Sequence, residues 1–229
     1  MFISEQDFDS GYGEVFRKAY AEARKYADNP SLLQQEIDAK PLPPAIPLSP
    51  PGAHEFSNRI MLYRGFAANP LRLKNYILAK NDPKEAIRKA HPFLADIEPT
   101  NRCNFRCTMC ANSLERGKNR ELYDLGLEDY RKLLDDNPYF VEVKLQGLGE
   151  PLLNPAFFGM VKLSVERLLW TRTTTNGSVL HINDNYKRLI DSDIGEVQVS
   201  FDGTTKEVFE SIRTGSNFDR VVSKLTQLN

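Results

Sequence analysis

The chain has 229 residues, 41% of them apolar and 27% charged, enough apolar material for one core plus an appendage. A net charge of −1 gives no electrostatic reason for a nucleic-acid or anionic-membrane partner, and no apolar run reaches membrane-spanning length. The acidic opening MFISEQDFDSGYGE lacks the basic and apolar regions of a secretory signal, so the cytoplasm is the expected location.

Residues 1–91 read as a helical extension punctuated by proline. Val15, Phe16, Ala19, Tyr20, Ala23 and Ala27 share one helical face, and Asp28-Asn29-Pro30 ends that helix. A short helix follows over residues 31–40. The stretch PLPPAIPLSPPG, residues 41–52, is half proline and predicts an extended linker. Asn69-Pro70 and Asp82-Pro83-Lys84-Glu85 each carry a helix start signal.

From residue 92 the pattern changes to strand alternating with helix. FLADIEPT is a strand running into the cysteines, and LEDYRKLLDD a helix turning Leu127, Tyr130, Leu133 and Leu134 to one side. VEVKLQG is a second strand; Asn154-Pro155 opens a helix with Phe158, Val161 and Val165 inward. LLWTRTTTNG, a helix around Tyr186, Leu189 and Ile190, EVQVSFDG and two closing helices complete the series. Phe157, Phe158, Trp170 and Phe218 are read as core. Such alternation predicts an α/β fold with parallel strands and helical crossovers, whose ligands gather at the strands' carboxyl ends. The four strand ends carry Cys103 and its partners, Gly147 to Glu150, Asn176, and Ser200 with Asp202.

The only three cysteines, Cys103, Cys107 and Cys110, lie within eight residues. An odd, tight group is no disulfide framework and points to metal. Three thiolates on a cubic iron–sulfur cluster leave one iron open for chemistry. A structural zinc site of three cysteines and a histidine is the alternative, although His54, His91 and His181 show no ligand-like spacing.

The run IEPTNRCNFRCTMC resembles the CxxxCxxC signature of the radical S-adenosylmethionine superfamily, and its flanks are similar to SPASM/twitch-type members. LQGLGEPLLNP resembles the family's glycine-glycine-glutamate segment, with Leu148 between the glycines. The resemblance implies that Gly147, Gly149 and Glu150 meet the cofactor's methionine ammonium. Glycines admit close backbone approach, and a carboxylate suits that cation. VQVSFDGTTKEVFESIRTGSNFD resembles the family's fourth strand and next helices. It implies Ser200, Asp202 and Arg213 near the ribose or methionine carboxylate, with Asn176 of similar standing and Met109 near the adenine.

The implied cofactors are a [4Fe–4S] cluster and S-adenosylmethionine, and the implied activity is hydrogen abstraction by a 5′-deoxyadenosyl radical. The implied partners are a peptide or small-molecule substrate and an electron donor such as flavodoxin or ferredoxin. A cluster-bearing scaffold without turnover is the other reading within the resemblance. The family's fold is a partial, TIM-like (β/α) barrel of six units, and residues 92–229 hold about four. That count reads as a chain truncated at its carboxyl end, or one completed by a second polypeptide. The absence of further cysteines leaves no ligands for auxiliary clusters.

Overall fold

The computed structural model describes residues 5–39, 55–81, 89–113 and 121–227. The chain divides into two compact units: Met1–Ala95 with Leu134–Glu142 and Glu166–Trp170, and Asp96–Leu133 with Val143–Val165 and Thr171–Asn229.

The first unit is built on helices α1 (Glu5–Asp28), α2 (Pro30–Asp38), α3 (Glu55–Ala68) and α4 (Pro70–Asn81). Helix α1 buries Phe8, Ala19, Ala23 and Tyr26, while Phe16 and Tyr20 pack against the same core. Val15 falls at the edge of that arc and is 41% exposed, so the expected face is rotated toward the aromatic side chains. Asn29 accepts from the Leu32 N–H at the start of α2, and Asn69 from the Leu71 and Arg72 N–H groups at the start of α4. Helix α3 was not legible in the sequence. It buries Ile60, Leu62, Tyr63 and Phe66 on one broad face, but the sequence blurs that face, with Arg59 falling on it and Met61 and Ala68 off it. Tyr63, Phe66, Leu73, Tyr76 and Ile77 form the centre of this core, joined by Val141 and Trp170. The proline-rich segment and the helix start at Asp82 lie outside the described residues.

The alternating part runs β1 (Leu94–Ile97), β2 (Arg106–Cys107), α5 (Leu127–Asp136), β3 (Glu142–Leu145), α6 (Phe157–Glu166) and β4 (Trp170–Thr175). It continues with α7 (Asn185–Ile190), β5 (Glu196–Val199), α8 (Lys206–Ile212), β6 (Arg213–Thr214) and α9 (Phe218–Leu225). Among the described residues the main sheet has four strands in the order β1-β3-β4-β5. Strand β4 pairs β5 in parallel, from Arg172 opposite Glu196 to Thr175 opposite Val199. With helices between successive parallel strands this is a partial (β/α) barrel.

Strand alternation separates two faces of the sheet. Val143, Leu145, Thr171, Thr173 and Thr175 are buried, and the Thr173 hydroxyl is satisfied by the Leu145 carbonyl at 2.7 Å. The other face carries a polar row. The Gln146 amide donates to Asp96 Oδ1 (3.5 Å), and the Thr174 hydroxyl faces Gln146 Oε1 (2.7 Å) and Gln198 Oε1 (3.3 Å).

Helix α5 has the predicted bounds and buries Tyr130 and Leu134, but Leu133 is 38% exposed. Helix α6 begins at Phe157 and buries Phe157, Met160 and Val161; Phe158 is half-buried beneath the Arg188 guanidinium, 3.8 Å away. At α7 Leu189 is buried and Ile190 is exposed. The two-residue strands β2 and β6 pair antiparallel, Arg106 with Thr214 and Cys107 with Arg213, and are too short for any periodic signal.

Candidate cofactor site at the strand ends

The cysteine segment leaves the carboxyl end of β1 and is tied at both ends. Thr100 Oγ1 donates to the Tyr123 carbonyl (2.9 Å), and the Asn101 side chain donates to the Glu121 carbonyl (2.7 Å) and accepts from the Tyr123 N–H (3.0 Å). The Leu125 N–H donates to the Pro99 carbonyl (2.8 Å), and buried Asn154 donates to both Pro99 (2.7 Å) and Leu125 (3.0 Å) carbonyls. This stem fixes where the loop starts and returns. Inside it, buried Phe105 anchors the loop, and the β2–β6 pairing and the Thr108 N–H to Ile212 carbonyl bond (2.9 Å) hold its middle.

All three cysteines are free thiols, Cys107 buried and the other two half-buried. Burial pushes the Cys103 and Cys107 thiols up, opposed at Cys107 by the Arg213 charge. Two donors face sulfur: Asn176 Nδ2 lies 3.8 Å from Cys103 Sγ, and Arg213 Nη1 lies 4.0 Å from Cys107 Sγ. Among the described residues no three Cys, His, Asp or Glu side chains are drawn together as a metal cage in this arrangement. The donor set nevertheless fits an iron–sulfur cluster. It offers soft sulfur ligands free of disulfides, with N–H groups turned toward two of them, which is how proteins stabilise cluster thiolates.

The glycine turn follows β3. A Cβ at Gly147 would lie 2.3 Å from Glu98 Cγ, and one at Gly149 would lie 2.0 Å from the Thr100 carbonyl oxygen. Gly149 is therefore required by the close approach of backbone, and Gly147 leaves room for the Glu98 side chain, before any ligand is considered. Glu150 is 1% exposed. Its carboxylate accepts from the Thr175 hydroxyl (2.7 Å), the Asn176 N–H (2.7 Å) and the Leu152 N–H (3.3 Å). Burial pushes its carboxyl up, against the pull of those donors.

Asn176 connects the parts. Its backbone meets Glu150, and its amide reaches Asn104 Oδ1 (3.1 Å) as well as the Cys103 sulfur. Asp202 and Arg213 form an ion pair at 2.5 Å. Ser200 meets this group through its N–H, which donates to the Thr175 carbonyl at 2.9 Å. Met109 stands apart, 58% exposed. Residues that sequence reasoning passed over are Glu98, Thr100, Asn101, Asn104 and Thr175. Each is a short polar side chain or carboxylate beside a strand end, inside or next to motifs already singled out, and that adjacency was the available signal.

Residues 97–229 match the Radical SAM superfamily. The mycofactocin maturase MftC of Mycobacterium tuberculosis is 30% identical over 141 residues, covering 60% of this chain and 34% of that protein. SuiB of Streptococcus suis, solved bound to S-adenosylmethionine, aligns with a TM-score of 0.53 at 18% identity, over 86% of this chain and 42% of that one. The same protein bound to its precursor peptide SuiA gives 0.51 at 15% identity, over 90% and 43%. At those identities the likeness to SuiB is one of fold. The chain spans about a third of the length of the curated relatives it matches.

Proposed function

Because this chain belongs to the radical SAM superfamily, we propose that Cys103, Cys107 and Cys110 hold a [4Fe–4S] cluster whose open iron receives S-adenosylmethionine, the two cofactors of that family. The observation carrying the proposal is the turning of the Asn176 amide and the Arg213 guanidinium toward the sulfurs of two of the three free thiols, at the carboxyl ends of parallel strands. Once reduced by an external donor, the cluster would pass one electron to the sulfonium of S-adenosylmethionine, which would part into methionine and a 5′-deoxyadenosyl radical able to take hydrogen from a substrate.

The chain's own groups have separate tasks. Asn176 and Arg213 lower the cost of holding negative sulfur in a half-buried loop. The Gly147–Gly149 turn receives the methionine end, with Glu150 supplying negative charge behind it for the ammonium. Asp202 and Arg213 form a paired anion and cation beside Ser200, suited to ribose hydroxyls and the methionine carboxylate. Met109 offers an adaptable apolar side chain for the adenine.

The substrate in this reading is polar, and a peptide in the first instance. A maturase and a protein bound to a precursor peptide are among the similar proteins. The row Asp96, Gln146, Thr174 and Gln198 is already bonded within itself, and its remaining lone pairs and N–H groups suit a polar substrate better than an apolar one. A flavodoxin or ferredoxin is the electron donor that fits the chemistry. Anaerobic incubation of the reconstituted chain with S-adenosylmethionine and dithionite, read by chromatography, is expected to yield 5′-deoxyadenosine. No product above that of a Cys103→Ala/Cys107→Ala/Cys110→Ala control would sink the enzymatic reading and leave a scaffold.

A further inference from the structure

Two carboxylates flank the glycine turn, and they are used differently. Glu150 faces away, buried against the end of β4. Glu98, the first residue beyond β1, lies over the turn itself. Its Oε1 accepts from the Leu148 N–H at 2.6 Å and from the Gly149 N–H at 3.3 Å. Successive backbone N–H groups converging on one anion form a concave nest, here occupied by the protein's own side chain. The Tyr123 hydroxyl, 3.3 Å from both Glu98 Oε2 and the Glu98 carbonyl, steadies the carboxylate from its other side.

Gly147 completes the arrangement. The three atoms nearest to a Cβ placed there are Cγ, Oε1 and Cδ of Glu98, at 2.3, 2.4 and 2.6 Å. Its φ is not in the left-handed region, so backbone strain does not demand glycine at this position. A Cβ here could be housed only by moving the Glu98 side chain. With its inner N–H groups bonded to Glu98, the turn carries Leu148 outward, 43% exposed.

We infer that Glu98 is a positioning residue: through the Leu148 and Gly149 N–H groups it sets the shape of the turn that receives the methionine end of S-adenosylmethionine. The inference rests on the proposed role of that turn. Glu98 itself touches no cofactor in this scheme. A carboxamide oxygen at the same place can still accept from both N–H groups, so Glu98→Gln is the conservative variant and Glu98→Ala the disruptive one.

The test has a part that needs no cofactor. Hydrogen exchange on the full chain is expected to show Leu148 and Gly149 amides protected in the native protein. Glu98→Ala should speed their exchange about tenfold or more, the ratio left when a charge-assisted bond is lost. Glu98→Gln should restore most of the protection, and Tyr130 in α5 should not change. Gly147→Ala should lower the melting temperature in the native background and be nearly silent in Glu98→Ala, where its clashing atoms are gone. On reconstituted protein, equilibrium dialysis with S-adenosylmethionine should show weaker binding for Glu98→Ala by about tenfold, with iron content unchanged and Glu98→Gln close to native. Unchanged exchange at both amides, or faster exchange with undiminished affinity, overturns the inference alone. A native reconstituted chain that fails to bind S-adenosylmethionine overturns the functional reading on which it rests.

Discussion

The helical unit and the strand-end site are held together by different physics. In the first, Tyr63, Phe66, Leu73 and Ile77 are at most 1% exposed, and ring contacts such as Tyr26–Tyr63 and Phe66–Tyr76 lie 5.0 and 5.2 Å apart. That is non-directional apolar burial, where volume matters more than exact angle. At the strand ends the buried residues include Thr100, Asn101, Glu150, Asn154 and Asn176, and side chains bonded to backbone fix the loops alongside backbone–backbone bonds. Such bonds contribute little net stability each but define position narrowly, and leaving one partner unpaired is costly. The first region is specified by packing, and the second by directional bonds that hold side chains in place.

The sharpest way to break that contrast is to damage each region and read both outputs. Phe66→Ala, which opens a cavity in the helical core, is expected to cost about 3–5 kcal/mol in urea unfolding. Iron bound per folded chain should stay the same. A comparable loss of iron would mean that the site depends on that core directly.

The same contrast explains what could be read in advance. Helix α5, the cap at Asn69, the four main strands and their order of chemistry-bearing ends follow from apolar periodicity and start signals, which act locally. Helix α3 escaped because Arg59 lies on its buried face and Met61 and Ala68 lie off it, which blurs the pattern, and β2 and β6 because two residues cannot alternate. Within the site, the residue types were legible and their bonding was not. Glu150 looked like a ligand-facing carboxylate, yet three protein donors surround it, from residues 2, 25 and 26 positions away. Gly147 looked like space for a ligand and is space for Glu98, from the end of β1. Contacts between strand ends leave no mark in local sequence.

A middle-sized effect is expected from Glu150→Ala. It strands the Thr175 hydroxyl and the Asn176 N–H without their acceptor, at a cost of about 1–3 kcal/mol for each group left buried. Affinity for S-adenosylmethionine should fall at least about tenfold while iron stays bound. Stability loss without any change in affinity, by denaturation and binding titration on the same sample, would reduce Glu150 to a brace.

Asn101→Ala removes the side-chain acceptor and donor that tie residues 121 and 123 to the start of the cysteine loop. The expected loss is about 1 kcal/mol, with faster proteolysis between residues 102 and 121 as the more sensitive readout. Cleavage at the native rate would mean the stem is held without Asn101, by Thr100, Asn154 and its backbone bonds.

The effect most specific to the sulfurs should come from Asn176→Ala. It removes the N–H group facing Cys103 Sγ, and the expected result is a reduction potential more negative by tens of millivolts, about 1 kcal/mol for a one-electron couple. A spectroelectrochemical titration showing no shift would contradict a role for that donor.

The central claim is that three cysteines hold a four-iron cluster with one iron open to S-adenosylmethionine. Its most direct test is electron paramagnetic resonance of the anaerobically reconstituted, reduced chain before and after S-adenosylmethionine is added. About four irons per chain and a cluster signal changed by the addition are the predicted result, both lost when Cys103, Cys107 and Cys110 are replaced by alanine. Zinc in place of iron, or a cluster signal indifferent to S-adenosylmethionine, would contradict it.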